Sequence, residues 1–192
     1  FGPNETAPNL AVNPPSPPTR DNWLGTDDRG RDLLTRLIYG FRNSMAFALT
    51  SWIFISFVSY LIGGVQGFWG GKTDLIGQRL TEIWTSLPIL YVVILLISLL
   101  APSLPLLTAI WVGFGWVSLS SYVRAEVLKI RKMEYVLASK AVGNTRSGTL
   151  IKHVLPNALT PLLTFSPFMI SGGVGSLAAL DYLGLGLPPP TA

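Results

Sequence analysis

Four groups of residues have the types and spacing that chemistry would need. Gly71-Lys72-Thr73 ends like a phosphate-binding loop, in which backbone N–H groups and a lysine cradle phosphates. Such a loop needs a glycine five residues before Gly71, where this chain has Gln66, and a β-strand ahead of it, where this chain has a long apolar run. The chain therefore carries no Walker A motif and does not hydrolyse ATP itself. Asp27, Asp28 and Asp32 have the density of a cation site, but the interleaved Arg29 and Arg31 offset their charge. Acids at a helix start, with Thr26 or Asp27 as the cap, explain them better. His153 is the single histidine and there is no cysteine, so neither a metal-ligand set nor a nucleophile with its base can be assembled. An enzyme is the least favoured class.

The fourth group, residues 124–157, is a polar island in an apolar half of the chain. It holds seven of the fourteen basic residues against Glu126 and Glu134, a net +5 where the whole chain carries +4. Within it Met133, Val136, Leu137 and Ala141 recur at helical steps. Gly143 follows where a helix-ending residue with positive φ is wanted, and Asn144 or Thr145 can cap a second short helix running to His153 and stopping at Leu155-Pro156. The spacing predicts helix, glycine break, helix. The small residues Ala138, Ser139 and Ala141 near the bend would let another protein's surface approach the backbone.

The elements that position this island are membrane-length. The chain is 49% hydrophobic and only 12% charged, with mean hydropathy +0.46, whereas soluble domains carry about a quarter charged residues. Its pI near 9.6 reflects one juxtamembrane loop, so topology rather than nucleic acid explains the basicity. Residues 1–22 are proline-rich and read as an extended linker, and Leu33, Leu34, Leu37, Ile38 and Phe41 mark an amphipathic helix over 23–43. Charge-free runs then predict spanning helices at about 44–68, 83–100, 106–123 and 154–180, with 72–82 a short polar connection. Pro88 should kink the second span. Pro156, Pro161 and Pro167 in its first half and Gly172, Gly173 and Gly175 in its second should break or kink the last. Since irregular backbone at membrane depth survives beside protein or a wet cavity, Pro161, Pro167, Ser171, Gly172 and Gly173 are the candidates for lining a pathway.

On these residues the island resembles the cytoplasmic EAA loop of ABC-importer permeases: Glu-Ala-Ala, three residues, Gly, then a gap closing on Leu-Pro. The corresponding places are Leu137, Ala138, Ser139, Gly143, Leu155 and Pro156, with leucine for the glutamate and serine for the second alanine. The ending His153-Val154-Leu155-Pro156-Asn157 is similar to the peptide-importer branch. So are two other stretches: Leu24-Gly25-Thr26-Asp27 with Gly30-Arg31-Asp32 and Arg36-Leu37-Ile38-Tyr39-Gly40, which resemble the segment before the second membrane helix, and Tyr182-Leu183-Gly184-Leu185-Gly186, which resembles the turn before the last one. The likeness covers about residues 23–190 and is nearest to oligopeptide and microcin C-type permeases.

This resemblance implies an all-α, polytopic transmembrane helical bundle of the type I ABC importer permease fold, with about four spanning helices in residues 44–192. It implies a bacterial inner-membrane subunit for peptides, with loop 124–153 cytoplasmic and residues 1–43 external. Those 43 residues hold five arginines and five acids, which leaves the +5 loop to set the orientation. The expected partners are a second permease, two ATP-binding subunits that use ATP and magnesium, and an external substrate-binding protein. No cofactor is expected on this chain. The coupling residues carried over are Lys132, Glu134, Ala138, Ser139, Lys140, Ala141, Gly143, Asn144, Leu155 and Pro156, with Lys132, Glu134 and Lys140 as polar rim contacts. A complete family member has a further helix on each side, so a fragment is expected. The alternatives are an ion-gradient-driven transporter or channel subunit and a structural membrane subunit. Ion coupling favours ionisable residues within the membrane, and the apolar zones 43–71, 83–123 and 154–180 contain no Asp, Glu, Lys, Arg or His.

Overall fold

The computed structural model of the chain describes residues 15–187. The described chain winds through α1 (Leu33–Trp69), α2 (Gly71–Thr85), α3 (Ile89–Leu99), α4 (Leu104–Ile130), α5 (Glu134–Ala141), α6 (Arg146–Thr149) and α7 (Thr160–Tyr182). A π turn, Leu150–Val154, and a 3-10 turn, Pro156–Leu159, link the last two. The only β pairing among the described residues is an isolated bridge from Thr26 to Asp32. The helices α1, α4, and α7 with its preceding 3-10 turn are each long and apolar enough to span a bilayer. The pair α2 and α3, bent by 65° at their junction, makes a fourth candidate as a broken span.

The amphipathic helix expected over 23–43 and the span expected at 44–68 form one 37-residue helix, and it begins only at Leu33. Its cap is Asp32, not Thr26 or Asp27: Asp32 Oδ2 accepts from the Thr35 N–H at 2.8 Å and its hydroxyl at 2.6 Å. Residues 23–32 cannot join the helix because Gly25 and Gly30 hold φ at 74° and 76°. A Cβ on Gly25 would also lie 2.4 Å from the Ser16 carbonyl oxygen. Asp27 instead ties the loop together, accepting the Arg29 and Arg31 N–H groups at 2.9 Å and an Arg36 guanidinium N–H at 2.7 Å. Burial works to raise its pKa, but the Arg31 and Arg29 amides and the Arg31 side chain outweigh it, and the carboxyl is held down at about 2. Of the linker expected over 1–22, residues 1–14 lie outside the described part; Ser16 packs back on Thr26, its N–H donating to Thr26 Oγ1 at 3.0 Å.

The polar connection expected at 72–82 is a helix. Gly70 and Gly71, with φ of 63° and 54°, end α1 and turn the chain directly into α2. There Gly77 passes so close to α1 that an added Cβ would meet the Gln66 side-chain nitrogen at 2.4 Å. Gln78 donates to Gln66 Oε1 at 3.2 Å. Pro88 does disturb the next segment, and more than a kink: α2 stops at Thr85 and α3 starts afresh at Ile89. Trp84 ties α2 to α4, donating from its indole N–H to the Gly113 carbonyl at 2.7 Å.

Close approach of α1 and α4 forms the centre of the bundle. Gly63 and Gly67, one helical turn apart, present bare backbone to α4, where added Cβ atoms would lie 2.4 Å from the Ser120 carbonyl oxygen and 2.8 Å from that of Arg124. One turn before Gly63, Ser59 donates to the Trp116 carbonyl at 2.8 Å. Two apolar clusters mark the two ends of the bundle. Phe47, Val93, Leu107, Ile110, Leu177 and Leu180 close one end. At the other, Phe68, Val123, Val127 and Ile130 pack with Val136, Leu150, Val154 and Ala158. The second cluster joins the ends of α1 and α4 to the polar island, which sits on the bundle as a packed cap.

Candidate functional site

The expected helix–glycine–helix motif is present. Met133 precedes α5, and Gly143 has φ +91°, which an L side chain rarely adopts. Nothing lies within 4 Å of where a Cβ would stand, so backbone conformation alone calls for glycine there. Thr145, rather than Asn144, caps α6: its hydroxyl accepts the Gly148 N–H at 3.1 Å. Asn144 braces the bend from within, donating from its amide to Ser139 Oγ at 3.0 Å, while its backbone N–H donates to the Ser139 carbonyl at 3.2 Å.

The island's faces are divided by the helical period. Val136 and Ser139 point inward and are buried, Val136 completely. Ser139 lies 3.3 Å from the Thr149 hydroxyl, so it holds α5 to α6 and is not on the exposed contact surface expected of it. Glu134, Ala138 and Ala141 are exposed and share the outward face. Lys140 turns sideways, its Nζ 5.2 Å from the Phe68 ring centroid at the end of α1. Lys132 and Lys140 border a recess there, and so do not form a rim around the outward face.

Leu155 and Pro156 do not stop the second helix. The π turn, closed by the Leu155 N–H donating to the Leu150 carbonyl at 2.8 Å, carries the backbone through into the 3-10 turn and α7. Leu155 is drawn in because Gly64 leaves a gap that its side chain fills; a Cβ on Gly64 would stand 2.7 Å from Leu155 Cδ2. Pro156 and Pro161 open the 3-10 turn and α7, positions where a missing N–H costs little. Neither Pro167 nor the glycines that follow break α7, which runs unbroken for 23 residues. The irregular backbone expected within the last span is confined to its start and the turn leading into it, at 150–159.

Only part of the expected pathway set comes together. Pro167 and Ser171 are exposed and Pro161 lies at the start of the helix. Gly172 and Gly173 instead line a cleft of about 190 Å³ with Ser51 and Trp52 of α1, Trp111 of α4 and Ser176. The hydroxyls of Thr50, Ser166 and Ser176 donate to carbonyls one turn back, as helical hydroxyls in apolar surroundings commonly do. The Ser51 hydroxyl and the Trp52 indole N–H are buried with no hydrogen-bond partner among the described residues. The cleft is thus walled by apolar surface with two buried, unpartnered polar groups behind it.

One charged contact escaped the sequence reading. Arg124, counted with the loop, is a residue of α4, and its guanidinium grips Asp74 of α2 with two bonds, the second (Nη2 to Oδ2) at 2.6 Å. A separation of fifty positions hides such a pair from any local pattern. Replacing Asp74 with asparagine leaves a partly buried guanidinium without its counter-charge. A cost of about 1–3 kcal/mol is expected, below that of a fully buried pair because both side chains keep some solvent. The charge-swapped Asp74→Arg with Arg124→Asp should recover part of it. Thermal unfolding of the purified full-length protein reads both, and an unchanged midpoint in the single variant would count against the pair's structural role.

Among the described residues no three of His, Cys, Asp or Glu converge to hold a metal. The site's features are a braced bend, an exposed outward face and buried connections to the ends of the spanning helices. Residues 59–192 match the family described as binding-protein-dependent transport system inner membrane component. Over 185 residues, 95% of the chain and 54% of the relative, it is 45% identical to the inner membrane ABC transporter permease protein YejE of Escherichia coli. It is 45% identical to the peptidoglycan transport system permease protein YejE of Agrobacterium fabrum, across 88% of the chain and 44% of that relative. Identity to the oligopeptide transport system permease protein OppC of Bacillus subtilis is 36%, across 94% of the chain and 59% of the relative. The chain thus spans about half the length of the curated relatives it matches. That these relatives are named permeases agrees with the expectation that this subunit is not an enzyme. With its all-helical bundle and apolar spans, the chain belongs to the binding-protein-dependent transport system inner membrane components, and is a multi-pass inner-membrane protein with the type I ABC importer permease fold.

Proposed function

We propose that the chain is the transmembrane core of a permease subunit in an ATP-driven importer of peptides, and that residues 124–156 couple it to ATP-hydrolysing subunits. The observation that carries this reading is the packing of Val136, Leu150 and Val154 against Phe68, Val127 and Ile130. A force on the outward face of α5 reaches the ends of α1 and α4 through a close-packed apolar cluster, which moves as a unit rather than deforming. Glu134, Ala138 and Ala141 are the docking face, where the two small alanines admit a close partner. Lys132, Ser139, Lys140, Gly143, Asn144, Leu155 and Pro156 shape and brace the loop behind it. ATP and magnesium belong to two partner ATPases, and a second permease and an external binding protein complete the assembly. Loop 124–153 then lies in the cytoplasm and residues 1–43 outside.

The cleft holding Gly172 and Gly173 is the candidate stretch of pathway, since free hydroxyl and indole groups in an apolar wall suit an uncharged amide passing through. Peptide cargo is favoured by the names of the relatives, oligopeptide transport among them. Microcin C-like peptides are the finer proposal within that class.

Cysteine crosslinking tests the coupling. This chain has no cysteine. Ala138→Cys is the probe, being exposed on the docking face, whereas a cysteine at Ser139 would be buried. In the full-length protein with its ATPase, a crosslink that changes with ATP is the expected result. Correct insertion with no crosslink in either state overturns the coupling assignment.

A further inference from the structure

A recess of about 440 Å³ opens beside the coupling loop, where the end of α1 meets α5 and α6. Its floor is Phe68 and Trp69, the last two residues of a membrane-spanning helix. Its walls carry Arg131, Lys132, Lys140 and Arg146. Among the described residues none of these four forms an ion pair with a carboxylate, whereas the neighbouring Arg124 and Lys129 each have an acid, Asp74 and Glu126. The Asp74 carboxylate reaches Arg131 electrostatically, but Lys132, Lys140 and Arg146 form no ion pair among the described residues, and cations gathered around one recess draw anions to it.

The recess is built rather than incidental. Arg131 is fixed by donating from Nη1 to the Gly67 carbonyl at 3.0 Å, which leaves the rest of its guanidinium fork for another acceptor. Gly70 makes room for it: a Cβ there would stand 2.5 Å from Arg131 Nη1, and φ at +63° already favours glycine. Lys140 is held over the Phe68 ring at 5.2 Å. Trp69, 40% exposed, is the residue type found at the boundary between hydrocarbon and headgroups.

We propose that this recess binds the phosphate of an anionic phospholipid headgroup. The chemistry required is a phosphate oxygen cluster at headgroup depth, with acyl chains running along the exposed side of α1. Two features favour a lipid over an acidic segment of a partner protein. The floor is the end of a spanning helix, and the outward face of α5 (Glu134, Ala138 and Ala141) does not line the recess, which α5 meets with Leu137 and Lys140. Basic recesses at the ends of spanning helices are established headgroup sites in other membrane proteins. This inference rests on α1 spanning the bilayer and not on the coupling role or the cargo.

The test uses the assembled full-length transporter in nanodiscs, with retained phosphatidylglycerol counted by native mass spectrometry against a phosphatidylcholine background. Each juxtamembrane cation contributes about fivefold in attraction to anionic lipid, so Lys132→Gln with Lys140→Gln and Arg146→Gln should weaken retention about a hundredfold. Lys129→Gln with Lys152→Gln, which lie outside the recess, should leave it unchanged. Equal retention by the wild type and the triple variant overturns the proposal. So does displacement of the lipid by inorganic phosphate alone, which marks a site for the free ion. Release of the ATPase subunits from the triple variant with lipid retention unchanged assigns the recess to a partner's acidic segment and likewise overturns it. Transport is not the readout, so a failed coupling role and a failed lipid site are told apart.

Discussion

Gly143→Val is expected to reduce ATP-driven uptake at least about tenfold while the protein still inserts and the ATPases still turn over. The reason lies in the backbone. Gly143 holds φ at +91°, and a β-branched residue there stores about 1–3 kcal/mol of strain, which the bend can relieve only by changing the angle between α5 and α6. No neighbour would be struck, since the space around the missing Cβ is empty, so steric collision does not confuse the result. A rotated α5 takes the outward face off its partner while the spanning helices stay as they were. Gly143→Asn supplies the control, because asparagine tolerates positive φ better than any other side chain of its size. It should retain most of the transport. Uptake and ATP hydrolysis measured together in proteoliposomes decide the matter, and a valine variant that transports as the wild type does would remove Gly143 from the coupling mechanism.

Gly63→Leu should have the larger effect on the fold itself. Its first added carbon would lie 2.4 Å from the Ser120 carbonyl oxygen and 3.0 Å from Val123 Cβ, and helix backbone cannot step aside as a flexible side chain can. Overpacking a well-filled contact costs about 1–3 kcal/mol, and a whole leucine between two backbones belongs at the top of that range or above. Parting α1 from α4 also strips the Ser59 bond to the Trp116 carbonyl and loosens the cluster beneath α5. The expected result is a sharp loss of monodisperse protein after detergent extraction and a lower unfolding midpoint. Gly175→Ala, where a Cβ would meet nothing within 4 Å, should be neutral. If Gly63→Leu extracts and unfolds like the wild type, the α1–α4 crossing is not where the bundle is held.

The legible parts were those encoded over short spans. The run of uncharged residues from 43 to 71 announced a spanning helix, because solvating a charge in hydrocarbon is costly wherever the helix goes. The periodicity of Met133, Val136 and Leu137 and the glycine at 143 predicted the helix, the bend and its positive φ, all of which the fold reproduces. Boundaries fared worse. Whether α1 began at 23 or 33 turned on Ser16 folding back over Gly25, a contact between segments that local cap preferences do not register. Pro167 and the glycines of α7 looked like breaks because each lowers helix propensity. In the bundle α7 runs on through them, with Gly173 pressed against Ala48 of α1, where an added Cβ would lie 3.1 Å away.

The class was written in the linear order of residue types: charge kept out of the apolar runs, apolar stretches of bilayer length, and a basic island with a glycine hinge. These follow from the transfer of charge and apolar surface between water and lipid, a property each segment carries alone. Packing in three dimensions set which face of α5 is free, that Ser139 braces the bend, that Arg124 grips Asp74, and that Arg131, Lys132, Lys140 and Arg146 share one recess. Those outcomes depend on how closely α1 and α4 approach at Gly63 and Gly67. A helix–helix distance is set by both partners at once, and no single stretch of sequence contains it.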